Sequence, residues 1–297
     1  MKKPIFTGAC TALITPFKNG TVDYDAFGKL IDWQIEEGID ALLIAGTSGE
    51  GSTLSDEEHR DVLKFAYDRA AGRVPMIAGT GSNDTAYAID LTKFACEVGY
   101  DANLVVTPYY NKATQNGLVK MYQAIADAST KPLVLYNVPS RTGVNIKPET
   151  FKKLEGYPHI DAIKDAGGNI SESADTAMLV GDSMTIYSGN DDQIIPIMSL
   201  GGMGVISVLS NVMPKETSQM CHMFLDGDLA GARAMQLKLL PLIHALFSEV
   251  NPIPVKAACA LMGLCENEVR LPLTVMEEKN MAVLKEEMIK AGIAVKG

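Results

Sequence analysis

Eight short runs of apolar residues, separated by segments of helical periodicity, recur along the first 210 residues of the chain. Each run is almost continuously apolar and is bounded by Gly, Pro or Asp, which is typical of parallel strands covered on both faces. The runs occupy residues 9–15, 41–46, 74–80, 102–107, 132–138, 160–164, 184–189 and 204–210. Between them, apolar side chains recur at three- and four-residue spacing, as in Phe27, Leu30 and Ile31.

A strand and a helix that alternate eight times predict a closed (β/α)8 TIM barrel, with a doubly wound open sheet as the alternative α/β fold. Ser55 and Glu58 form a capping-box pattern that opens one of the helices. Helical patterns continue after the last strand, over residues 214–226, 228–248, 252–265 and 275–291. We therefore predict a catalytic barrel over residues 1–226 and a C-terminal helical extension over residues 227–297, packed on the barrel.

Charge and cysteine content restrict the partners and the compartment. The formal net charge is −10 and no run of Lys and Arg is present, which disfavours nucleic acid and anionic membranes as partners. No apolar span is long enough for a membrane helix, and the amino-terminal apolar stretch is too interrupted for a signal peptide. The cysteines are odd in number and lack a CxxC pair, which indicates a reducing compartment, so we expect a cytoplasmic protein. They are Cys10, Cys96, Cys221, Cys259 and Cys265.

Lys164 is the strongest candidate for chemistry. In barrels of this kind the active site lies at the C-terminal ends of the strands, and Lys164 ends an apolar strand. Desolvation lowers the pKa of a lysine and so produces the neutral amine that attacks a carbonyl carbon. The alternative is a structural ion pair with Asp165. Lys131 lies at the opposite end of its strand, and Lys256 lies in a C-terminal helix, where we expect its ammonium group to reach solvent.

The C-terminal ends of other strands add polar groups to the same end of the predicted barrel. Tyr136 is a candidate proton carrier, with Thr47 and Tyr110 as candidates to complete a chain of hydroxyls. The turn over residues 46–50 offers backbone N–H groups and two hydroxyls that suit a carboxylate, and Arg141 suits a second carboxylate. Each has an ordinary structural alternative: the edge of the core, a βα turn, or a surface charge.

No metal and no nucleotide cofactor are expected. The glycine-rich segment 79–84 lacks the third glycine of a dinucleotide fingerprint, and there is no P-loop. The histidines lack the spacing of metal ligands. They are His59, His159, His222 and His244.

Six ordered motifs together resemble the dihydrodipicolinate synthase branch of the pyruvate-dependent lyase family, which also includes N-acetylneuraminate lyase. The likeness covers nearly the whole chain. The motifs are GTSGE at 46–50, TPYYN at 107–111, YNVPSRTG at 136–143, IKDAGG at 163–168, GVISV at 204–208 and NPIPVK at 251–256.

The resemblance implies the chemistry of the site. Lys164 would form a Schiff base with pyruvate, and the enamine derived from it would attack the aldehyde of L-aspartate-4-semialdehyde, in lysine and diaminopimelate biosynthesis. Tyr136 would be the proton-transferring acid and base, with Thr47 and Tyr110 completing its relay. The covalent imine on Lys164 would make a cofactor unnecessary.

The resemblance also implies the substrate contacts. Thr47 and Ser48 would hold the pyruvate carboxylate, with backbone help from Gly189 and Ile206, and Arg141 would anchor the semialdehyde carboxylate. Ser48 replaces a threonine common in this pattern and keeps the hydroxyl.

Feedback by lysine is a further implication of the resemblance. Family members that respond to lysine use a pocket whose counterparts here are Ser52, Asp56, His59, Asn83, Tyr87 and Tyr109. Tyr87 stands where those members have a glutamate, and Asp56 where they often have a histidine. Loss of that glutamate predicts weak binding of the lysine ammonium group, unless Asp56 compensates.

Assembly and two rival functions complete the predictions. The resemblance, with two adjacent tyrosines in TPYYN, implies a homotetramer built as a dimer of dimers in which Tyr110 enters the neighbour's site. One rival is an aldolase of the same family for N-acetylneuraminate or 2-keto-3-deoxy sugar acids. Its polyol aldehyde has no second carboxylate to pair with Arg141, and an unpaired arginine costs free energy if it is buried. The other rival is a catalytically silent barrel that binds a keto acid or a partner.

Overall fold

Eight parallel strands close into a barrel, as the sequence predicts. The structure is a computed structural model that describes residues 3–296. Residues 1 and 2 of the predicted barrel segment and residue 297 of the predicted extension therefore lie outside the described residues. Across residues 3–296 the strands are β1 (Gly8–Ala12), β2 (Phe17–Lys18), β3 (Thr21–Val22), β4 (Ala41–Ile44), β5 (Met76–Gly79), β6 (Ala102–Val106), β7 (Leu133–Asn137), β8 (Ile160–Asp165), β9 (Thr185–Ser188) and β10 (Gly204–Ser207). Strands β2 and β3 form a small antiparallel hairpin, and the other eight form the barrel.

Closure of the sheet excludes the doubly wound alternative. Strand β1 pairs in parallel with both β4 and β10, with Cys10 opposite Ala41 and Gly8 opposite Gly204. An open sheet has two unpaired edge strands, whereas this ring has none. The fold is therefore a (β/α)8 TIM barrel, and all eight C-terminal strand ends face one mouth.

Helices alternate with the barrel strands and then continue beyond them. In the described chain they are α1 (Tyr24–Glu36), α2 (Asp56–Ala70), α3 (Thr85–Val98), α4 (Gln115–Asp127), α5 (Pro139–Thr142), α6 (Pro148–Leu154), α7 (Ile170–Val180), α8 (Ile194–Ser199), α9 (Pro214–Leu225), α10 (Leu229–Leu246), α11 (Ile253–Met262) and α12 (Glu278–Ala291). The capping box that opens α2 is formed, because Ser55 Oγ accepts from Glu58 N and Glu58 Oε2 accepts from Ser55 N. None of these helices between residues 3 and 296 is long and apolar enough to cross a membrane.

The barrel strands are shorter than the apolar runs that predict them. The run over residues 204–210 ends as a strand at Ser207, and Leu209–Asn211 form a 3-10 turn. The cause is the buried Asp191 carboxylate, which accepts hydrogen bonds from the backbone N–H groups of Val208 and Leu209. Those two N–H groups are thereby taken out of the strand ladder.

The C-terminal extension shares one core with the barrel. Leu239, Leu242 and Ile243 of α10 are buried in the same apolar cluster as Ile44 of β4 and Ile31 of α1. Helix α9 ends at Leu225 and α10 begins at Leu229, one on each side of the predicted division between residues 226 and 227. Asn251, just before α11, and Lys256, within it, contact Ser48 and Glu50 of the turn that follows β4.

Candidate active site

Lys164 and Tyr136 lie side by side at the mouth of the barrel. They are directly opposite each other in the pairing of β7 with β8. Both are buried, with 5% of Lys164 and 6% of Tyr136 exposed, and Lys164 Nζ lies 4.3 Å from the centroid of the Tyr136 ring. The register of two neighbouring strands therefore places an amine against a phenol in a site with little water.

The neighbouring carboxylate is turned away from Lys164. Asp165 accepts hydrogen bonds from Gly167 N at 2.9 Å and from Ser173 Oγ at 2.6 Å. Successive side chains of a strand point to opposite sides, so Lys164 enters the barrel while Asp165 faces the helical layer. The ion pair between Lys164 and Asp165 is therefore the wrong alternative.

Gly189 lies against Lys164, and Ile206 lies inside the barrel. A Cβ atom on Gly189 would lie 2.8 Å from Ala166 Cβ and 3.1 Å from Lys164 Cγ, so only glycine leaves room for the lysine stem there. Ile206 is 1% exposed and packs in the interior cluster that also contains Tyr136. Gly189 therefore borders the lysine stem, while the contacts of both backbones with pyruvate stay a prediction.

The turn after β4 carries the two predicted carboxylate ligands, Thr47 and Ser48. It is closed by hydrogen bonds from Glu50 N to Thr47 O at 3.1 Å and from Gly51 N to Gly46 O at 3.2 Å. Thr47 lines the cavity at the mouth, whereas Ser48 is buried and its Oγ accepts from Asn251 Nδ2 at 3.1 Å.

Arg141 lines the same cavity from the short helix α5. Its Nη2 donates to the backbone oxygen of Asn251 at 3.1 Å, yet the residue as a whole is exposed. Because solvent reaches this side chain, the cost of leaving a buried Arg141 unpaired does not arise, and burial gives no argument against a polyol aldehyde. Asn251, which the sequence marks only as part of a motif, joins Ser48 to Arg141.

Tyr109 and Tyr110 separate at the loop after β6. Tyr109 lines the cavity, and Asn83 Nδ2 donates to its backbone oxygen at 3.2 Å. Tyr110 has a φ of 71° and is 92% exposed, so it projects away from the chain that carries it. The structure therefore does not bring Tyr110 to Tyr136 and Thr47 within one chain.

Five of the six residues of the predicted lysine pocket line the same cavity, whose volume is about 580 Å³. Asp56 accepts two hydrogen bonds from Arg60 Nε, at 3.1 and 3.0 Å. Burial and Asp56 raise the pKa of Tyr87 to about 12. Burial lowers the pKa of His59, whose Nε2 lies 2.9 Å from Gly79 O. The residues on the cavity wall are Ser52, Asp56, His59, Tyr87 and Tyr109. Asn83 contacts this wall through its hydrogen bond to the backbone oxygen of Tyr109.

Lys256 is not a solvent-exposed lysine, contrary to the prediction from its helix. It is fully buried, and its Nζ forms an ion pair with Glu50 Oε1 at 2.6 Å. The sequence gives no sign of this contact, because the two residues are separated by 206 positions.

Among residues 3–296, no three His, Cys, Asp or Glu side chains lie close enough together to hold a metal ion.

A (β/α)8 barrel with a buried lysine beside a tyrosine at its C-terminal mouth is the architecture of lyases that use a lysine amine on carbonyl substrates. Comparison with known proteins defines the family within that class. The sequence profile of the dihydrodipicolinate synthetase family matches residues 5–291, and the chain belongs to this family.

Relatives and solved structures agree with this assignment. The 4-hydroxy-tetrahydrodipicolinate synthase of Caldicellulosiruptor saccharolyticus is 54% identical over 294 residues, which cover 99% of each chain. The crystal structure of dihydrodipicolinate synthase from Aquifex aeolicus has a TM-score of 0.96 at 46% identity, covering 98% of this chain and 100% of the other. The Acinetobacter baumannii synthase, solved in complex with pyruvate, has a TM-score of 0.95 at 44% identity, covering 97% and 99%.

Proposed function

We propose that the protein is a 4-hydroxy-tetrahydrodipicolinate synthase that condenses pyruvate with L-aspartate-4-semialdehyde in lysine and diaminopimelate biosynthesis. The observation that carries the proposal is the buried Lys164 beside Tyr136 at the mouth of a barrel of this family. The names of the relatives support it, and so does the relative solved with pyruvate.

The proposed reaction begins at Lys164. Its amine adds to the keto carbon of pyruvate, and loss of water leaves an imine. Loss of a methyl proton then gives an enamine, whose carbon forms the new bond to the aldehyde carbon of the semialdehyde. Attack by the substrate amine on the imine carbon releases Lys164 and closes the ring. The protonated imine is itself the electron sink, so no cofactor is required.

Proton transfers in this sequence fall to Tyr136. The Tyr136 ring lies against Lys164 Nζ, which supports a role for this phenol in proton transfer to the nitrogen and its bound substrate. Thr47 lies on the same cavity wall and would continue the relay, with a tyrosine hydroxyl from Tyr110 completing it. Thr47 and Ser48 would hold the pyruvate carboxylate, with the backbones of Gly189 and Ile206 closing the site around the lysine.

Acceptor selection is the proposed role of Arg141, and it provides the test of the function. Wild-type protein should consume pyruvate and L-aspartate-4-semialdehyde together, and should not accept N-acetylmannosamine in place of the semialdehyde. Arg141→Ala should lower kcat/KM for the semialdehyde by about 100-fold, because a charge-assisted bidentate pair is lost. Formation of the pyruvate adduct should be unchanged. If Arg141→Ala impaired the use of pyruvate equally, the assignment of this residue would be wrong.

Weak inhibition by L-lysine is expected from the pocket formed by Asp56, Tyr87 and their neighbours. The Asp56 carboxylate is already bound to Arg60, and Tyr87 remains an uncharged phenol at neutral pH because its pKa is about 12. No free carboxylate from these two residues faces an incoming ammonium group. Steady-state rates should therefore fall only at high lysine concentration, and Tyr87→Glu should lower the concentration needed. Strong inhibition of wild-type protein at low micromolar lysine would contradict this.

A homotetramer built as a dimer of dimers, with each Tyr110 entering the neighbour's site, is the assembly we propose. The almost complete exposure of Tyr110, while the adjacent Tyr109 lines the cavity, supports a role for Tyr110 outside its own chain. A cytoplasmic location is proposed because all five cysteines are free thiols.

A further inference from the structure

The turn that carries Thr47 and Ser48 is held by the C-terminal extension. Glu50, the last residue of this turn, is 3% exposed and has a φ of 50°. Its Oε1 accepts from Lys256 Nζ at 2.6 Å, and its Oε2 accepts from the backbone N–H of Arg270 at 3.0 Å. A left-handed backbone is uncommon for a glutamate, and here both of its carboxylate oxygens are fixed from outside the barrel.

Lys256 is held on two sides. Besides Glu50, its Nζ lies 4.0 Å from the centroid of the Phe17 ring, within the range of a cation–π contact. Burial lowers the pKa of Lys256, and the Glu50 carboxylate opposes that shift. A buried ion pair adds little net stability compared with apolar residues of similar volume, so stability alone is a weak reason for this pair to be present.

The hydrogen bonds of the turn connect Glu50 to the predicted pyruvate ligands. Glu50 N donates to Thr47 O at 3.1 Å, so a displacement of Glu50 also displaces Thr47. On the other side of the turn, Asn251 Nδ2 donates to Ser48 Oγ. Residues 251–270 of the extension therefore hold the turn at both Ser48 and Glu50.

We propose that Lys256 is a positioning residue for the pyruvate carboxylate site, acting through Glu50 on Thr47 and Ser48. This inference rests on the proposed function. The ion pair fixes the turn so that its hydroxyls and N–H groups already face the carboxylate when pyruvate arrives. Without the pair, pyruvate binding must also order the turn, and the affinity for pyruvate falls. Arg141 is bonded to the backbone oxygen of Asn251 rather than to Glu50 or Lys256, so we expect the semialdehyde site to change much less than the pyruvate site.

Lys256→Met tests the proposal, because methionine keeps the length of the side chain and removes its charge. The KM for pyruvate should rise about 10-fold or more, whereas the KM for the semialdehyde should stay within about 2-fold. With saturating pyruvate, borohydride should still trap the adduct. An unchanged KM for pyruvate in the folded variant overturns the proposal.

Two further variants separate positioning from stability. Glu50→Gln/Lys256→Met removes both buried charges, so its Tm should recover towards the wild-type value while the KM for pyruvate stays raised. If the double variant instead binds pyruvate as wild type does, the pair only cancels charge and the proposal fails. If Lys256→Met alone does not fold, the KM for pyruvate of the double variant provides the test instead.

Leu284→Ala is the matched control, because Leu284 is fully buried in α12 of the same extension. It should lower the Tm without changing the KM for pyruvate, and a rise like that of Lys256→Met would overturn the proposal. Wild-type protein is assayed in the same series. An inactive wild type would refute the proposed function itself, whereas an active wild type with unaffected Lys256 variants would refute only the positioning role.

Discussion

Lys164→Ala is expected to lower kcat by at least about 10⁴-fold, the largest effect of any substitution considered for this protein. Without the amine there is no imine, and without the imine the methyl group of pyruvate has no electron sink for loss of its proton. Other groups at the mouth cannot replace it, because Lys256 is buried in an ion pair with Glu50. The loss should appear in kcat at saturating concentrations of both substrates.

Lys131→Ala is the control for this experiment, since Lys131 precedes β7 at the opposite end of the barrel. It should keep the wild-type rate. Circular dichroism should show that both variants are folded. If Lys164→Ala retained more than about 1% of the wild-type rate, catalysis would have to proceed by another route.

Mixing two impaired variants should restore activity if Tyr110 crosses between subunits. Lys164→Ala inactivates its own site but still donates a normal Tyr110, whereas Tyr110→Phe keeps its lysine and impairs the partner's relay. When the two are unfolded and refolded together, random pairing makes about half of the dimers mixed, and each of these has one intact site. About a quarter of the wild-type activity should then return.

The control for that experiment is the same pair of variants mixed without unfolding and assayed at once. That mixture should show only the average of the two separate activities. If the co-refolded sample also showed only the average, Tyr110 would act in its own chain or in none, and the proposed assembly would lose its functional basis.

The barrel could be predicted from the sequence because its signal is local. Each run such as residues 41–46 is apolar throughout, and a strand covered on both faces requires that composition. Strand ends were less accurate, since side-chain caps such as the one Asp191 forms at Val208 come from a different part of the chain. The hairpin of β2 and β3 was missed because its two-residue strands carry no periodic signal.

The candidate site, like the fold, could be predicted from the sequence only in part. Lys164 and Tyr136 could be predicted because each ends an apolar run, and runs that are adjacent in a barrel place their ends together. The support from the extension could not, because Asn251 meets Ser48 across 203 positions and a lysine in a helix usually reaches solvent. Only the folded chain shows that Lys256 is buried against Glu50.

Borohydride reduction in the presence of pyruvate, read by intact mass and peptide mapping, tests the central claim most directly. Reduction of the imine should add about 72 Da to the wild-type chain, and the added mass should map to Lys164. Protein treated without pyruvate, and Lys164→Ala treated with it, should show no added mass. A wild-type chain that gains no mass, or gains it on another lysine such as Lys256, would contradict the Schiff-base mechanism proposed for this site.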